Sequence, residues 1–305
     1  MITDLDNRLI WYNGNIVPAQ EAKIYAMAPT AQFGLNVFEG IPVYHNSEKH
    51  VSYAFRLEKH FVRLKNSARM LELDNRYSVD DMNNALFSVV KANGGDEDIV
   101  ARVILFVEGV GSWASEGPVG MLVSPMPRKK ISSEYTKHSL KCCFSSWRRI
   151  SDQVLSPKIK CGANYINSRL GQREALRNGY DTCIFLNDQG KIAEGPGSCF
   201  FMVKDNVLIT PKVTDSILNS ITRDSIIKIA KDNKLEVQER SIDRTEAYIC
   251  DEAFLCGSSM GITSISRIDG MDVPYHEITD KISDIYCNAV CGKDERYQGW
   301  LTEIK

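Results

Sequence analysis

The order of helix and strand patterns along the chain is the feature that most restricts its fold. Runs of apolar and β-branched residues predict strands that follow one another in pairs, and amphipathic helical patterns lie between these pairs at irregular intervals. A doubly wound parallel sheet needs helices and strands that alternate regularly, which this order does not provide. The sequence therefore predicts a mixed α/β (α+β) fold with mostly antiparallel or barrel-like sheets.

Local signals indicate where several elements begin or turn. Asn13 and Gly14 lie between two apolar runs and predict the turn of a hairpin. Residues 55–73 carry apolar side chains at steps of three and four, which is typical of an amphipathic helix. Ser78 is expected to begin a second helix, and Ser220 is expected to cap a later one.

The chain of 305 residues is long enough for two domains. The stretch MPRKKISSEY, residues 126–135, combines a proline, charges and serines, as linkers often do. We therefore expect an N-terminal α/β domain over residues 1–126, a linker over residues 127–135 and a C-terminal domain over residues 136–305.

Composition argues against several classes of protein. A net charge of −2 gives no basic field for nucleic acid, and the basic stretches 127–130 and 147–150 are interpreted as a solvated loop and strand end. The N-terminus lacks the apolar core of a signal peptide, and no window reaches the roughly 18 consecutive apolar residues of a membrane helix. We therefore expect a cytoplasmic protein without membrane contact. The nine cysteines have no CxxC spacing, and no metal site is expected.

Two lysines lie directly before a run of small residues in SPKIKCGANY, residues 156–165. Small residues mark places where another group approaches the backbone closely, so one lysine here could be an amine that faces a ligand. Lys158 follows a proline in the loop and is interpreted as a solvated charge. Pattern alone does not settle whether Lys160 is reactive.

Three further places could bind charged groups. Glu194 precedes Gly-Pro-Gly at a strand end, where a carboxylate either caps the turn or faces a partner. Residues 219–224 (NSITRD) open a helix, whose free N–H groups favour an anion. Residues 256–261 (CGSSMG) form a tight turn of small residues that can present successive N–H groups. Since neither GxGxxG nor a Walker A motif is present, a nucleotide site has no support.

Several motifs together resemble the class IV aminotransferases, which use pyridoxal phosphate (PLP), and most of all the branched-chain amino-acid aminotransferases. These motifs are FGLNVFEGI (33–41), FRLEKHFVRLKNSA (55–68), SSW…PKIKCGANY (145–165), IAEGPG (192–197), LITP…ILNSITRD (208–224) and CGSSMGIT (256–263). The resemblance extends over essentially the whole chain. It implies a two-domain PLP enzyme of fold type IV, with an N-terminal sandwich-like domain and a C-terminal pseudo-barrel domain, that assembles as a homodimer.

The resemblance also implies which residues bind the cofactor. Lys160 is expected to form the Schiff base, Tyr165 to bond the phenolic oxygen, and Glu194 to meet the pyridine nitrogen. The phosphate is expected on Arg63, Ile221, Thr222 and Ser258. These expectations agree with the chemistry, because an electron-accepting ring needs a protonated nitrogen and a buried carboxylate favours that proton. Helix periodicity alone, in contrast, places Arg63 on the solvated face.

A second set of residues is expected to bind substrate. Phe38 is expected to line the apolar pocket, while the backbone N–H groups of Ser259 and Met260 are expected to meet the substrate carboxylate. Arg102 is a candidate for the second carboxylate of glutamate, and a structural ion pair is the equal alternative for this residue.

The chain departs from the branched-chain pattern where the substrate is expected. Phe33, which is also placed in the substrate site, and Val100 replace tyrosines, and Pro42 replaces an arginine. Because lost polar partners usually change substrate preference, these departures bear on specificity. Pro196 and Cys199 also differ from the small residue and the asparagine that the family prefers after the glutamate.

The predicted function is a PLP-dependent transaminase that moves an amino group from a branched-chain or other apolar L-amino acid to a 2-oxo acid. The expected acceptor is 2-oxoglutarate, and the reaction is expected to be ping-pong through Lys160. One alternative keeps the cofactor: a D-amino-acid or (R)-amine transaminase, or an aminodeoxychorismate-type lyase. Another is a non-catalytic binding protein that has kept the fold. The expected partners are small-molecule substrates only.

Overall fold

The computed structural model describes residues 7–131 and 139–304, so residues 132–135 of the predicted linker lie outside the described part. The contacts within the chain divide it into two compact units. Unit 1 comprises Met1–Lys130, Ile159–Ala163 and Ala289–Lys305, and unit 2 comprises Ile131–Lys158 and Asn164–Asn288.

Unit 1 is built on a seven-stranded antiparallel sheet. Its strands are β1 (Leu9–Tyr12), β2 (Asn15–Pro18), β3 (Asn36–Asn46), β4 (Val51–Phe55), β5 (Ile99–Val107), β6 (Val119–Pro127) and β15 (Leu301–Ile304). Their order in the sheet is β15-β4-β3-β5-β6-β1-β2. The helices are α1 (Pro29–Phe33), α2 (Leu57–Met70) and α3 (Val79–Ala92).

The core of unit 1 lies between the sheet and two of these helices. Leu57, Phe61, Leu64 and Ala68 of α2 pack with side chains of α3 and of the central strands. This spacing of apolar side chains is the one that predicted the helix, and the prediction is confirmed. The start of α3 is confirmed as well, since Ser78 and Asp81 form a reciprocal capping box there.

Unit 2 is built on a mixed sheet that forms a half-barrel. Its strands are β7 (Leu140–Arg148), β8 (Thr182–Leu186), β9 (Cys199–Lys204), β10 (Val207–Thr210), β11 (Val237–Glu239), β12 (Glu252–Gly257) and β13 (Gly261–Ile268), with β14 (Met271–Asp272) paired to β13. The helices are α4 (Asn164–Arg177), α5 (Ile221–Asp232) and α6 (Glu277–Val290). Strand β7 is parallel to β8 and to β13, and β10 is parallel to β11, whereas the other pairs are antiparallel. The predicted mixed α/β fold is confirmed.

The units differ from the predicted domain boundaries at two places. Strand β15 near the C-terminus pairs with β4 of unit 1, and Cys161 forms an antiparallel bridge with Val37 of β3. Residues 289–305 and 159–163 therefore group with unit 1, although a single boundary near residue 135 assigned both to the C-terminal domain. The reason is that strand pairing depends on distant partners, which local composition does not reveal.

Within the described ranges, no helix is both long enough and apolar enough to cross a bilayer.

Candidate functional site

The segment that carries Lys160 is fixed by backbone contacts to β3 and α2. The Phe38 N–H donates to the Lys160 carbonyl at 2.9 Å, and the Lys160 N–H donates to Ser67 Oγ at 3.1 Å. A Cβ on Gly162 would come within 2.7 Å of Asn36 Oδ1, so glycine is needed there for packing. The close approach that the small residues predicted is therefore an approach to β3. Both anchors hold Lys160 at one place on the sheet.

The Lys160 side chain shares an aromatic ring with Arg102. Lys160 Nζ lies 5.0 Å from the centroid of the Phe38 ring, and Arg102 Cζ lies 5.4 Å from it. In the pairing of β3 with β5, Gly40 lies opposite Arg102 and Pro42 lies opposite Val100. Since alternate residues of a strand share a face, Pro42 lies on the same face as Phe38, and so does Val100 opposite it. Both positions depart from the branched-chain pattern. Unit 1 thus brings three predicted site residues together beside an apolar strip.

Lys158 and Phe33, in contrast, are exposed. Lys158 has a side chain that is 46% exposed, with Nζ 4.0 Å from Asp152 Oδ2, which agrees with its interpretation as a loop charge. Phe33 is the last residue of α1 and is exposed.

Arg63 of α2 is paired with a buried carboxylate. Its Nε donates to Glu39 Oε1 at 2.6 Å and its Nη2 donates to Glu39 Oε2 at 2.7 Å, and the side chain is only 13% exposed. His60 Nδ1 lies 2.7 Å from the same Oε2. The interpretation of Arg63 as solvated, which rested on helix periodicity, is therefore wrong, because β3 supplies Glu39 beside this part of the helix.

The charges in this cluster follow from its burial. Burial raises the pKa of Glu39, but the Arg63 charge and the hydrogen bonds from Arg63 and His60 outweigh it and hold the pKa at about 2. Burial lowers the pKa of His60 despite the neighbouring carboxylate. Glu39 is thus ionised and accepts a hydrogen bond from Nδ1–H of a neutral His60, and the cluster of Glu39, Arg63 and His60 is neutral as a whole.

In unit 2, Glu194 is a buried carboxylate that is paired with Arg149. Arg149 donates to Glu194 Oε1 from Nε at 2.9 Å and from Nη2 at 2.8 Å. The other oxygen, Oε2, accepts the Leu218 N–H at 3.2 Å and lies 4.0 Å from Cys199 Sγ. The Arg149 and Glu194 side chains are 8% and 5% exposed, so both charges are buried together. Glu194 is therefore a buried carboxylate that is fixed by these partners.

Arg149 was missed by the reasoning from sequence. The interpretation of residues 147–150 as a solvated strand end is wrong for Arg149, which is buried and whose Nη1 also donates to Asn167 Oδ1 of α4 at 3.1 Å. A usable signal was present. Arg148 and Arg149 are adjacent at the end of β7, and neighbours in an extended chain point to opposite faces, so one of them had to point inward.

The remaining predicted residues of unit 2 surround two possible anion sites. Ser220 caps α5 as predicted, since its side chain accepts the Arg223 N–H at 3.2 Å, and Ile221 and Thr222 form the buried first turn. Ser258, Ser259 and Met260 form the turn between β12 and β13. A helix start and a tight turn of this kind are the places where backbone N–H groups can bind phosphate or carboxylate.

The loop after Glu194 connects these groups. A Cβ on Gly257 would come within 3.2 Å of the Gly197 carbonyl, and one on Gly197 would lie 3.9 Å from the Tyr165 ring. Tyr165, at the start of α4, is 36% exposed. Unit 2 therefore brings Tyr165, the Glu194 loop and the 258–260 turn into one neighbourhood.

The chemistry of these groups fits the cofactor that the resemblance implies. PLP needs an amine for its aldehyde, a carboxylate for its ring nitrogen and N–H groups with a cation for its phosphate. Lys160 and Arg63 in unit 1, and Glu194 with the first turn of α5 in unit 2, are groups of these kinds. Among the residues that the structure describes, no cluster of three or more potential ligands could hold a metal ion.

Comparisons with known proteins agree with this chemistry. Residues 36–268 match the family described as amino-transferase class IV. The chain is 33% identical to the probable branched-chain-amino-acid aminotransferase of Aquifex aeolicus, over 100% of this chain and 99% of that protein. It is similar to the branched-chain amino acid aminotransferase of Thermobaculum terrenum in its PLP-form, with a TM-score of 0.92, 40% identity and 99% of both chains covered. It is also similar to the T.th. branched-chain amino acid aminotransferase complexed with N-(5'-phosphopyridoxyl)-L-glutamate, with a TM-score of 0.91, 31% identity and 99% and 100% covered.

Proposed function

The chain belongs to the class IV aminotransferases, a family of PLP-dependent transferases, and we propose that it moves the amino group of a branched-chain L-amino acid to 2-oxoglutarate. The observation that carries this proposal is the full-length similarity to branched-chain enzymes, with a buried carboxylate and a lysine at the motif positions. The phosphopyridoxyl-glutamate bound by the T.th. enzyme contains glutamate, which is the aminated form of 2-oxoglutarate.

The predicted site residues would have different roles toward the cofactor. When bound, PLP supplies an electron-accepting ring that stabilises negative charge at Cα of the substrate. Lys160 would hold the aldehyde carbon covalently and then carry the Cα proton on Nζ. Glu194, with Arg149 behind it, would keep a proton on the ring nitrogen, and Tyr165 would donate to the phenolic oxygen. The phosphate would be held by Arg63, Ile221, Thr222 and Ser258.

The substrate site must accept two different side chains in turn. Phe38 would line the apolar pocket for a branched side chain, on the strand face that also carries Val100 and Pro42. Arg102, over the Phe38 ring that Lys160 also contacts, would bind the second carboxylate of glutamate or 2-oxoglutarate. Ser259 and Met260 would donate backbone N–H groups to the carboxylate that both substrates share, and Phe33 would stand at the border of the site.

The proposal includes a cytoplasmic homodimer. Large apolar side chains of unit 1 are exposed, among them Tyr25, Val110 and Trp113, and an assembly that covers them would remove this apolar surface from water. The mass in solution, measured by light scattering, would be twice that of the chain.

The test is a visible spectrum of the purified protein followed by a panel of amino donors and acceptors. We expect absorbance near ~410–420 nm that bleaches with L-leucine and recovers with 2-oxoglutarate. Faster bleaching with D-alanine or a chiral (R)-amine would replace the proposal by the D-amino-acid or (R)-amine reaction. Pyruvate release without an acceptor would indicate a lyase.

Two lysine variants locate the reactive amine. Lys160→Ala should abolish both transamination and the attachment of PLP to the chain by borohydride, because the nucleophile is removed. Lys158→Ala is the matched control: it removes an exposed lysine only two residues away and should leave both unchanged. The assignment is wrong if the Lys160 variant still attaches PLP.

A further inference from the structure

We propose that Glu39 is a positioning residue that orients Arg63 toward the cofactor phosphate. This inference rests on the proposed function and concerns a residue that touches neither substrate nor cofactor. Glu39 lies on β3 and is completely buried, and it accepts from Arg63 through Nε and Nη2 together. Such a side-on pair fixes the plane of the guanidinium, and therefore the direction in which its Nη1 edge points.

The position of the pair ties it to the reactive lysine. Phe38, the neighbour of Glu39 on β3, holds the Lys160 carbonyl, and Ser67, about one turn beyond Arg63 on α2, holds the Lys160 N–H. The strand that carries Glu39 and the helix that carries Arg63 are thus the two elements that fix Lys160. A cation oriented by Glu39 is consequently held at a constant offset from the lysine amine, as a cofactor bound at both ends would require.

Two effects of Glu39 on phosphate binding oppose each other. Its negative charge weakens the attraction of Arg63 for a phosphate, whereas its hydrogen bonds hold the guanidinium in place before the phosphate arrives. The effect of orientation exceeds the weakened attraction in this site, because a nearly buried arginine without a carboxylate partner would turn toward water. His60 supports the arrangement, since its contact with Oε2 supplies the third hydrogen bond to Glu39.

The experiment compares the Kd of PLP with that of pyridoxal, which is the same aldehyde without the phosphate. Both are titrated into the full-length chain after removal of its cofactor, with visible absorbance as the readout. Glu39→Gln should lower the ratio of the two affinities about tenfold or more, because a charge-assisted hydrogen bond to the phosphate is misaligned. The Kd of pyridoxal should stay within about threefold of the wild-type value.

The double variant Glu39→Gln with Arg63→Met shows whether Glu39 acts through Arg63. If it does, Arg63→Met alone lowers the affinity ratio and Glu39→Gln lowers it no further in that background. The double variant leaves no unpaired charge in the core, so it is also suited to folding. An additional loss in the Arg63→Met background would overturn the proposal.

Glu252→Gln is the matched control for the loss of a buried carboxylate. Glu252 of unit 2 is also buried and accepts from the N–H groups of Ile278 and Thr279 and from the Thr279 hydroxyl, at 2.7–2.8 Å. The ratio of the affinities for PLP and pyridoxal in Glu252→Gln should equal that of the wild type. If Glu39→Gln does not fold, Glu39→Asp keeps the charge but withdraws it from Arg63, and it should lower the ratio likewise.

The outcomes separate this inference from the proposed function. An unchanged or increased ratio in Glu39→Gln or Glu39→Asp, while the wild type still prefers PLP over pyridoxal, overturns the role of Glu39 alone. An equal decrease in the Glu252 control overturns it too, because the effect would then come from general destabilisation. A wild-type chain that binds neither aldehyde would overturn the proposed function itself.

Discussion

Among the described residues, each unit contains a largely buried pair of a guanidinium and a carboxylate, Arg63–Glu39 and Arg149–Glu194, and the two pairs are arranged in opposite order. In unit 1 the arginine, Arg63, is the member proposed to face the ligand, and Glu39 stands behind it. In unit 2 the carboxylate, Glu194, is the member proposed to face the ligand, and Arg149 stands behind it. The order follows the charge that each pair would meet, which is an anionic phosphate in unit 1 and a cationic ring nitrogen in unit 2.

In each pair, the charge proposed to face the ligand has a second charge that supports it. A lone buried ion costs several kcal/mol, so a folded chain can present a buried cation or anion to a ligand only if a second charge compensates it. Both pairs are neutral before any ligand arrives. Substituting the supporting residue should therefore disturb the site, although the residue proposed to face the ligand is itself unchanged.

The largest expected effect is on stability in unit 1 and depends on pH. The pKa of Glu39 lies at about 2, below its ordinary value of 4.5, so its stabilising contribution is complete above pH ~4.5 and is lost as the pH falls through 2. At pH 7, Glu39→Gln should lower the free energy of unfolding by about 3 kcal/mol, because Arg63 loses its partner. Below pH ~4.5 the difference from the wild type should shrink, because the wild type then begins to lose the same interaction.

Thermal unfolding followed by circular dichroism at several pH values between 7 and 3 measures this difference. Arg63, His60 and Lys160 are the charged or titratable groups that act on Glu39 or on its partner, and His60 is already neutral at pH 7. A constant gap between the two proteins over the whole range would show that the ionised carboxylate is not what stabilises unit 1.

The second prediction concerns the supporting arginine of unit 2. Arg149→Met should lower kcat with L-leucine about 10- to 100-fold, because Glu194 without a cation becomes protonated and no longer keeps a proton on the ring nitrogen. The preference for PLP over pyridoxal should not change, since Arg149 is not among the residues proposed to bind the phosphate. Single-turnover bleaching by L-leucine, together with the titration of affinities, measures both quantities.

Two controls sharpen the test of Arg149. Arg149→Lys keeps the charge but loses the two-nitrogen contact and should retain more activity than Arg149→Met. Arg240→Met breaks another arginine–carboxylate pair of unit 2, with Glu246 at 2.6 Å, and should keep the wild-type kcat. If Arg149→Met instead changed the phosphate preference as Glu39→Gln is expected to do, the two pairs would not be separate devices.

The sequence predicted those features that a few neighbouring residues determine. Ser78 and Ser220 begin helices because each side chain caps backbone N–H groups within three residues, and both predictions are confirmed. The hairpin turn predicted at Asn13 and Gly14 is also confirmed, since both residues adopt positive φ between the paired strands β1 and β2. Local steric and hydrogen-bonding rules suffice for such features.

The supporting charges could not be predicted in this way. Glu39 and Arg63 are 24 residues apart, and Arg149 and Glu194 are 45 apart, so each pair depends on how distant elements pack. Helix periodicity gave the direction of Arg63 around α2 but not the neighbour that it meets. The family resemblance supplied Arg63 and Glu194, the members proposed to face the ligand, because it rests on motifs, and it was silent on the residues behind them.

The smallest expected effect concerns Cys199, the third group beside Glu194 after Arg149 and the Leu218 N–H. A thiol is a weak donor, and Cys199 Sγ is 4.0 Å from Glu194 Oε2, whereas Arg149 and the Leu218 N–H lie within 3.2 Å of the carboxylate. Cys199→Asn, which restores the residue that the family prefers, should therefore change kcat by less than about threefold. The same substitution in Arg149→Met should leave the loss from Arg149 in place. A recovery of more than about tenfold in that double variant would mean that the donor at position 199, and not the arginine, decides how Glu194 is held.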